Sequence, residues 1–151
     1  MILIDSNSLI ILLLGLIDEN LIGQHKRASI YTKEDFKNLV IAIQDFKKLI
    51  VLPQVWAEAD NLLNNFSGNH KYQYISNLKH IIEQSTEKYL EIKSLLKNEN
   101  LLAVGITDSL IIEIAKDCEY VITSDSKLSD LIIANGISVY DMVQVRNQSF
   151  Q

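Results

Sequence analysis

Short apolar runs without polar alternation recur along the chain and constrain its fold more than any other feature. They occupy residues 1–4, 49–52, 120–123 and 137–140. A strand in which polar and apolar residues alternate has one solvated face, whereas these runs are typical of strands buried on both faces. Because segments with helical spacing separate the runs, the sequence predicts an α/β protein with a parallel sheet between two layers of helices, a three-layer α/β/α architecture.

Capping residues and apolar residues at helical spacing mark the segments between the runs. Ser6 or Asn7 can cap an apolar helix that extends to about residue 17. Thr32 and Asp35 resemble a capping box, and Pro53 suits the first turn of the next helix. The remaining predictions are a helix after residue 69, a short third strand or continued helix over residues 86–92, and helices over residues 95–104, 107–115 and 126–134.

Length and composition limit the class of protein. The chain has 151 residues, which suits one domain over residues 1–151, and a single cysteine, which fits a reducing compartment such as the cytoplasm. Residues 9–17 are apolar throughout, but a bilayer span needs about 20 such residues, so no membrane segment is expected. The formal net charge of -5 argues against a general nucleic-acid coat, although a nucleic-acid enzyme can need carboxylates more than lysines.

Acidic residues stand at the points where the predicted strands end. Asp5 follows the first run, Asp125 follows the run at 120–123, Glu58 lies in the helix after Pro53, and Asp108 begins a helix. In open α/β sheets, ligands bind beyond the carboxyl ends of the strands, so these acids are expected to converge there. Converging carboxylates repel one another and need a cation between them. Hard divalent ions with oxygen ligands, Mg²⁺ or Mn²⁺, are the natural counter-charge, and such sites suit phosphoryl chemistry.

Each of these acids also has a purely structural interpretation that the residues leave open. Asp5 can be a helix cap, Asp125 a turn residue, Asp108 an acid favoured by the helix dipole, and Glu58 an exposed salt-bridging residue. A phosphoacceptor aspartate is disfavoured, because it would predict a second acid beside Asp5. Three polar neighbours are candidates for orienting the ligands or water, or for satisfying the local backbone: Asn7, Thr107 and Ser124.

Four segments in a fixed order resemble the PIN domain (PilT N-terminus) family, and together they cover nearly the whole chain. ILIDSNSLI resembles the family's strand followed by Asp, a small hydroxyl residue and Asn. VLPQVWAEADNLL is similar to the segment in which an apolar strand and Pro precede a helical Glu. VGITDSLIIEIAK resembles the third segment, where Asp starts a helix, and EYVITSDSKLSDLIIANGI resembles the fourth, a strand ending in Thr-x-Asp.

The resemblance implies a five-stranded parallel sheet of order 3-2-1-4-5 and a quartet of catalytic, metal-binding acids: Asp5, Glu58, Asp108 and Asp125. It implies an endoribonuclease, a hydrolase that cleaves RNA phosphodiester bonds with Mg²⁺ or Mn²⁺. Many family members are toxins of bacterial toxin–antitoxin pairs, of the VapC type, silenced by a small antitoxin protein, and homodimers are common. The extra length over residues 18–35 and 67–100, with the Lys-Arg segment HKRASIYTKEDF, resembles instead a stand-alone bacterial branch.

The uneven spread of charge leaves a second class of function open. Lys26-Arg27 and Lys47-Lys48 can line an RNA path, and solvated helix faces explain them equally well. Three tyrosines are candidates for stacking on bases: Tyr31, Tyr72 and Tyr74. Because strongly basic surface is sparse, the alternative to an enzyme is a PIN-like protein-interaction or regulatory module with little or no turnover.

Overall fold

The computed structural model describes residues 1–149, which form five β-strands and seven α-helices. The strands are β1 (Ile2–Ile4), β2 (Leu49–Val51), β3 (Thr86–Glu87), β4 (Tyr120–Ile122) and β5 (Ser138–Tyr140). The helices are α1 (Ser6–Ile17), α2 (Lys33–Ile43), α3 (Pro53–Leu63), α4 (Gly68–Gln84), α5 (Asn100–Ala115), α6 (Ser126–Ala134) and α7 (Met142–Gln148). All neighbouring strands are parallel, in the order β3-β2-β1-β4-β5. The predicted fold class and strand order are confirmed.

Helices cover both faces of the sheet, and α1 is the most deeply buried of them. It packs against α2, α3 and α4, whereas α5 packs against α6 and β1. Every side chain from Leu9 to Leu14 is fully buried, which explains why this helix lacks a polar face. No helix within residues 1–149 combines the length and the apolar character that crossing a bilayer requires.

Asp residues connect strands to helices at three places along the carboxyl edge of the sheet. Asp5, between β1 and α1, accepts a hydrogen bond from the Ser8 amide at 2.8 Å, and so is the cap that the sequence assigned to Ser6 or Asn7. Asp125 and Asp141 cap α6 and α7 in the same way. An aspartate at this position satisfies a free N–H of the first helical turn and places a carboxylate beside the strand end.

Two parts of the chain differ from the sequence prediction. The helix predicted over residues 95–104 is divided, because a 3-10 helix at Ile92–Lys97 ends where the Asn98 side chain accepts a hydrogen bond from the Asn100 amide at 2.7 Å. Gly105 then kinks α5 with φ of 82°, a conformation that favours glycine. The segment over residues 86–92, for which the sequence allowed a strand or a continued helix, begins with strand β3. Helix α7 was not predicted.

An ion pair between a partly exposed arginine and a buried carboxylate fixes α7 to the start of α2. Arg146 Nη1 lies 2.7 Å from Asp35 Oδ2, and Asp35 is fully buried. The same carboxylate oxygen accepts a hydrogen bond from the Thr32 amide at 2.8 Å, so the predicted capping box is present and carries a second role. The pair joins residues that are 111 positions apart in sequence.

Gly15 is required by the close packing of α1 against α2. A Cβ atom at this position would overlap the Phe36 ring. We therefore expect Gly15→Ala to lower the free energy of unfolding by about 1–3 kcal/mol, although alanine favours helices. Chemical denaturation measures this change. The double variant Gly15→Ala/Phe36→Leu should recover part of the loss, and equal stability of Gly15→Ala and the parent protein would contradict the packing argument.

Candidate active site

The four acids singled out in the sequence line one polar cleft at the carboxyl edge of the sheet. Asp5, Glu58, Asp108 and Asp125 surround a cavity of about 170 Å³, together with Ser6 and Asn7. This volume is smaller than the roughly 300–1,000 Å³ of pockets that hold drug-sized ligands. It suits an ion with its water molecules, or the end of a longer molecule.

Asp5 is held rigidly at the junction of β1 and β4. Its backbone N–H donates to the Ile122 carbonyl at 3.1 Å, which ties the residue to the end of the neighbouring strand. Its side chain is 4 % exposed, and Oδ1 is engaged by the amide of Ser8. Burial raises the pKa of Asp5, and the nearby charge of Asp125 acts in the same direction, whereas the Thr123 hydroxyl and the Ser8 amide oppose the shift. Asp5 therefore both caps α1 and carries a carboxyl group whose pKa is raised.

Asp125 is placed by a short turn after β4. Its backbone N–H donates to Thr123 Oγ1 at 3.1 Å, and its Oδ1 accepts from the Leu128 amide at 2.9 Å. Thr123 is fully buried, so packing holds the side chain that orients the turn. Asp125 itself is exposed to solvent. The strand order explains its position, because β4 lies beside β1 and brings Asp125 next to Asp5.

Glu58 reaches the cleft from α3 and is held there by Ser6. The Ser6 hydroxyl donates to Glu58 Oε2 at 2.8 Å, across 52 positions of sequence. From sequence, Ser6 is predicted only as a possible helix cap, and its contact with Glu58 was missed. Its place directly after the strand-end aspartate was the available signal, since side chains of the first helical turn lie at the same edge of the sheet.

Asp108 lies on α5, three residues after the kink at Gly105. Its pKa is raised to about 6, mainly by burial and then by the negative charges of Asp125, Asp5 and Glu58. The other three carboxylates reach the cleft from separate elements, and like charges brought this close disfavour one another. A cluster of this kind is typical of functional sites, where charge is placed at some loss of stability.

No basic side chain lines this cleft, and the four acids take part in none of the ion pairs within residues 1–149. The donors are all oxygen atoms, which fits Mg²⁺ or Mn²⁺ better than a softer metal. Across the described chain, however, no three His, Cys, Asp or Glu side chains lie close enough together to hold an ion jointly. The arrangement therefore fits a hydrated ion held by one or two carboxylates, as Mg²⁺ is commonly bound, and does not form a closed four-carboxylate cage.

The three polar neighbours named in the sequence differ in their placement. Asn7 lines the cleft and is exposed to solvent. Thr107 and Ser124 do not line it. The Ser124 Oγ atom is buried and has no hydrogen-bond partner among the described residues.

The predicted RNA-stacking tyrosines are wrong in two of three cases. Tyr31 is 7 % exposed and Tyr74 is 1 % exposed, so neither ring is available to a base. Burial and then the charge of Asp5 raise the pKa of Tyr31. Tyr72 is 74 % exposed and keeps a free face.

Lys47-Lys48 precede a strand of the sheet, whereas the acids of the cleft follow strands. They form part of a 3-10 turn that leads directly into the amino end of β2. Since all strands are parallel and the acids follow the carboxyl ends, this lysine pair is at the opposite edge of the sheet.

Comparison of the chain with protein-family models, with curated proteins and with solved structures finds no match. The resemblance to the PIN family therefore depends on the four sequence segments and enters the functional argument only as support for a proposal.

Proposed function

We propose that the chain is a metal-dependent endoribonuclease of the PIN type, which hydrolyses RNA phosphodiester bonds at the acidic cleft with Mg²⁺ or Mn²⁺. The observation that carries the proposal is the convergence of four carboxylates from separate elements on one polar cleft that no basic side chain lines. A structural role alone would not require four acids at one cleft, where burial and then the charges of Asp125, Asp5 and Glu58 raise the pKa of Asp108 to about 6.

The chain's own residues would position the reacting groups. A divalent ion bound among these oxygens would supply an activated water and neutralise charge on the phosphate. Asp5 offers a carboxylate whose orientation is fixed by the α1 cap, and Ser6 restrains Glu58 on the opposite wall. Asp108 and Asp125 complete the rim, and the exposed Asn7 amide can contact a substrate oxygen. Fixed ligands of this kind reduce the reorganisation needed during reaction.

The biological setting follows from the same proposal. A toxin of a toxin–antitoxin pair would act on cellular RNA in the cytoplasm and would be silenced by a small antitoxin protein, with a homodimer as a common form. The long segments over residues 18–35 and 67–100 favour the stand-alone bacterial branch over the compact VapC-type toxins. A short overlapping upstream reading frame in the genome would favour the toxin version.

A protein-interaction or regulatory module is the second candidate, and one observation favours it. Leu96, in the 3-10 helix before α5, is 80 % exposed. Leu102, in the first half of α5, is 98 % exposed. Large apolar side chains that are this exposed are typical of surfaces that bind another protein. This role does not need the acidic cleft, so loss of the acids would leave binding intact.

The direct test is incubation of the purified protein with a panel of single-stranded and structured RNAs. We expect cleavage in Mn²⁺ or Mg²⁺, none in EDTA, and a loss of at least about 100-fold in Asp5→Asn. Asparagine is as good a helix cap as aspartate, so this variant should fold normally. Cleavage that survives EDTA or the substitution would overturn the metal-site proposal, and an absence of cleavage across the panel would favour the interaction module.

A further inference from the structure

The two longest stretches of this acidic chain without an acidic residue both carry cationic side chains. Residues 20–33 and 61–82 include none of the 19 Asp and Glu residues of the protein. The first stretch carries Lys26, Arg27 and Lys33, and the second carries Lys71 and Lys79. These stretches are thus positively charged parts of a protein whose formal net charge is -5.

Aromatic contacts bring the two stretches together at one corner of the molecule. The ring centroids of His25 and Phe66 are 6.2 Å apart, and those of Phe66 and His70 are 6.1 Å apart. His25 Nδ1 accepts a hydrogen bond from the Arg27 amide at 3.2 Å, which shapes the first stretch into a tight turn. Phe66 therefore sits between two imidazoles, one from each stretch.

We name the resulting surface the basic corner and define it by Lys26, Arg27, His70, Lys71 and Tyr72. Lys26, Arg27 and Lys71 are exposed, and Tyr72 is 74 % exposed. None of these three cationic residues takes part in an ion pair with any residue of the described chain. The corner thus joins unpaired cationic groups with an exposed ring, the combination that single-stranded nucleic-acid sites use.

Short lengths of chain connect the basic corner with the elements that line the cleft. Arg27 precedes Tyr31 by four residues, a length of chain that spans at most about 14 Å. The neighbouring Ile30 carbonyl accepts a hydrogen bond at 3.3 Å from Arg146 of α7, a helix that begins directly after β5 at the carboxyl edge of the sheet. From the other side, Glu58 and Phe66 are separated by the last five residues of α3 and two further residues.

A cleft lined by four carboxylates repels a polyanion, so a nuclease built on it must grip its substrate elsewhere. We propose that the basic corner binds the phosphate backbone of single-stranded RNA a few nucleotides away from the bond that the acidic cleft cleaves, with Tyr72 stacking on a base. This inference rests on the proposed function. It assigns the grip to the Lys26-Arg27 pair and not to Lys47-Lys48, which lie at the other edge of the sheet.

The test compares two neutralised pairs that remove the same charge from adjacent positions. Both are made in an Asp5→Asn protein, so that RNA is bound but not cut. A fluorescein-labelled single-stranded RNA of about 12 nucleotides reports binding by anisotropy over a range of salt concentrations. We expect Lys26→Gln/Arg27→Gln to weaken binding roughly 10- to 30-fold at about 0.1 M salt and to reduce the salt slope by about 1.4. Lys47→Gln/Lys48→Gln should change the affinity less than about twofold.

Two further variants test the other side of the corner. Lys71→Gln should weaken binding about fivefold, with a loss of about 0.7 in salt slope. Tyr72→Ala should weaken binding about fivefold or more and leave the salt slope unchanged, because stacking involves no counterion release. Equal effects of the two lysine-containing pairs, or no effect of the corner variants, would overturn the proposal. So would binding of the corner to phosphatidylglycerol vesicles without binding to RNA.

Cleavage assays separate failure of this inference from failure of the proposed function. These assays use the protein with its natural Asp5. Lys26→Gln/Arg27→Gln should slow cleavage of the long RNA, which is the RNA of about 12 nucleotides used for binding. Cleavage of a dinucleotide should be unchanged, because a dinucleotide cannot reach the corner. Equal cleavage of the long RNA by both pairs would overturn the corner alone. If no variant or parent cuts any RNA, while the corner still governs binding, the nuclease proposal fails and the RNA-binding surface stands.

Discussion

Replacing Asp108 by asparagine is expected to stabilise the metal-free protein by about 1–2 kcal/mol near neutral pH while abolishing cleavage. The pKa of Asp108 is raised from 3.8 to about 6 in the folded protein, by burial and by three neighbouring carboxylates. Since the folded state then binds the proton more tightly than the unfolded state, stability falls as pH rises from about 4 to 6, and the penalty persists above that window. The full shift corresponds to about 3 kcal/mol, which solvent screening at this partly exposed group reduces.

Thermal unfolding in EDTA at several pH values measures this effect. We expect the melting temperature of Asp108→Asn to exceed that of the parent protein by about 3–6 °C at neutral pH, with the difference vanishing near pH 4. Added Mn²⁺ should raise the melting temperature of the parent protein and raise that of the variant much less. A variant that is less stable than its parent at neutral pH would show that the repulsion is not released, and would remove the electrostatic support for the site.

Replacing Arg146 by methionine is expected to lower the free energy of unfolding by about 3–4 kcal/mol. Methionine keeps most of the apolar volume of the side chain but leaves the carboxylate of Asp35 buried without a cation. Asp35 is fully buried, and its Oδ1 atom has no hydrogen-bond partner among the described residues. Arg146 is therefore the main group that compensates the buried negative charge of Asp35. Chemical denaturation measures the loss.

Two controls separate the loss of charge pairing from general damage. The double variant Asp35→Asn/Arg146→Met should recover at least about 2 kcal/mol, because asparagine keeps an acceptor for the Thr32 amide and removes the buried charge. The exposed pair between Lys116 and Glu113 offers a matched surface case, and Lys116→Met should change stability by less than about 1 kcal/mol. Equal losses at Lys116 and Arg146 would show that burial of the pair has no special effect.

The fold was predictable because its signals are local. An apolar run without alternation marks a strand buried on both faces, and the observed strands agree with the predicted runs to within a residue at most ends. The positions of Asp5 and Asp125 followed from the same signals, since each stands at a strand end. That the two are neighbours came from the strand order, which was taken from the family resemblance and is confirmed by the pairing of β1 with β4.

The features that the sequence did not predict depend on long-range contacts. The Ser6–Glu58 hydrogen bond and the Asp35–Arg146 pair join residues that are 52 and 111 positions apart, so no local pattern reports them. Helix α7 has seven residues, of which only Met142 is buried, and this is too short for a periodic signal. Tyr31 and Tyr74 were misplaced because a tyrosine ring can pack inside or face solvent with the same local sequence.

The central position of β1 determines when the cleft can exist during synthesis of the chain. Asp5 is made first, yet its partner Asp125 follows β4, and β4 pairs with β1 from more than one hundred residues downstream. A nascent chain that stops before β4 therefore has no assembled cleft, and it leaves one edge of β1 without a partner strand. Such an edge is open to pairing with other chains, so incomplete products would be prone to aggregation. The same topology delays assembly of the cleft until β4 has left the ribosome.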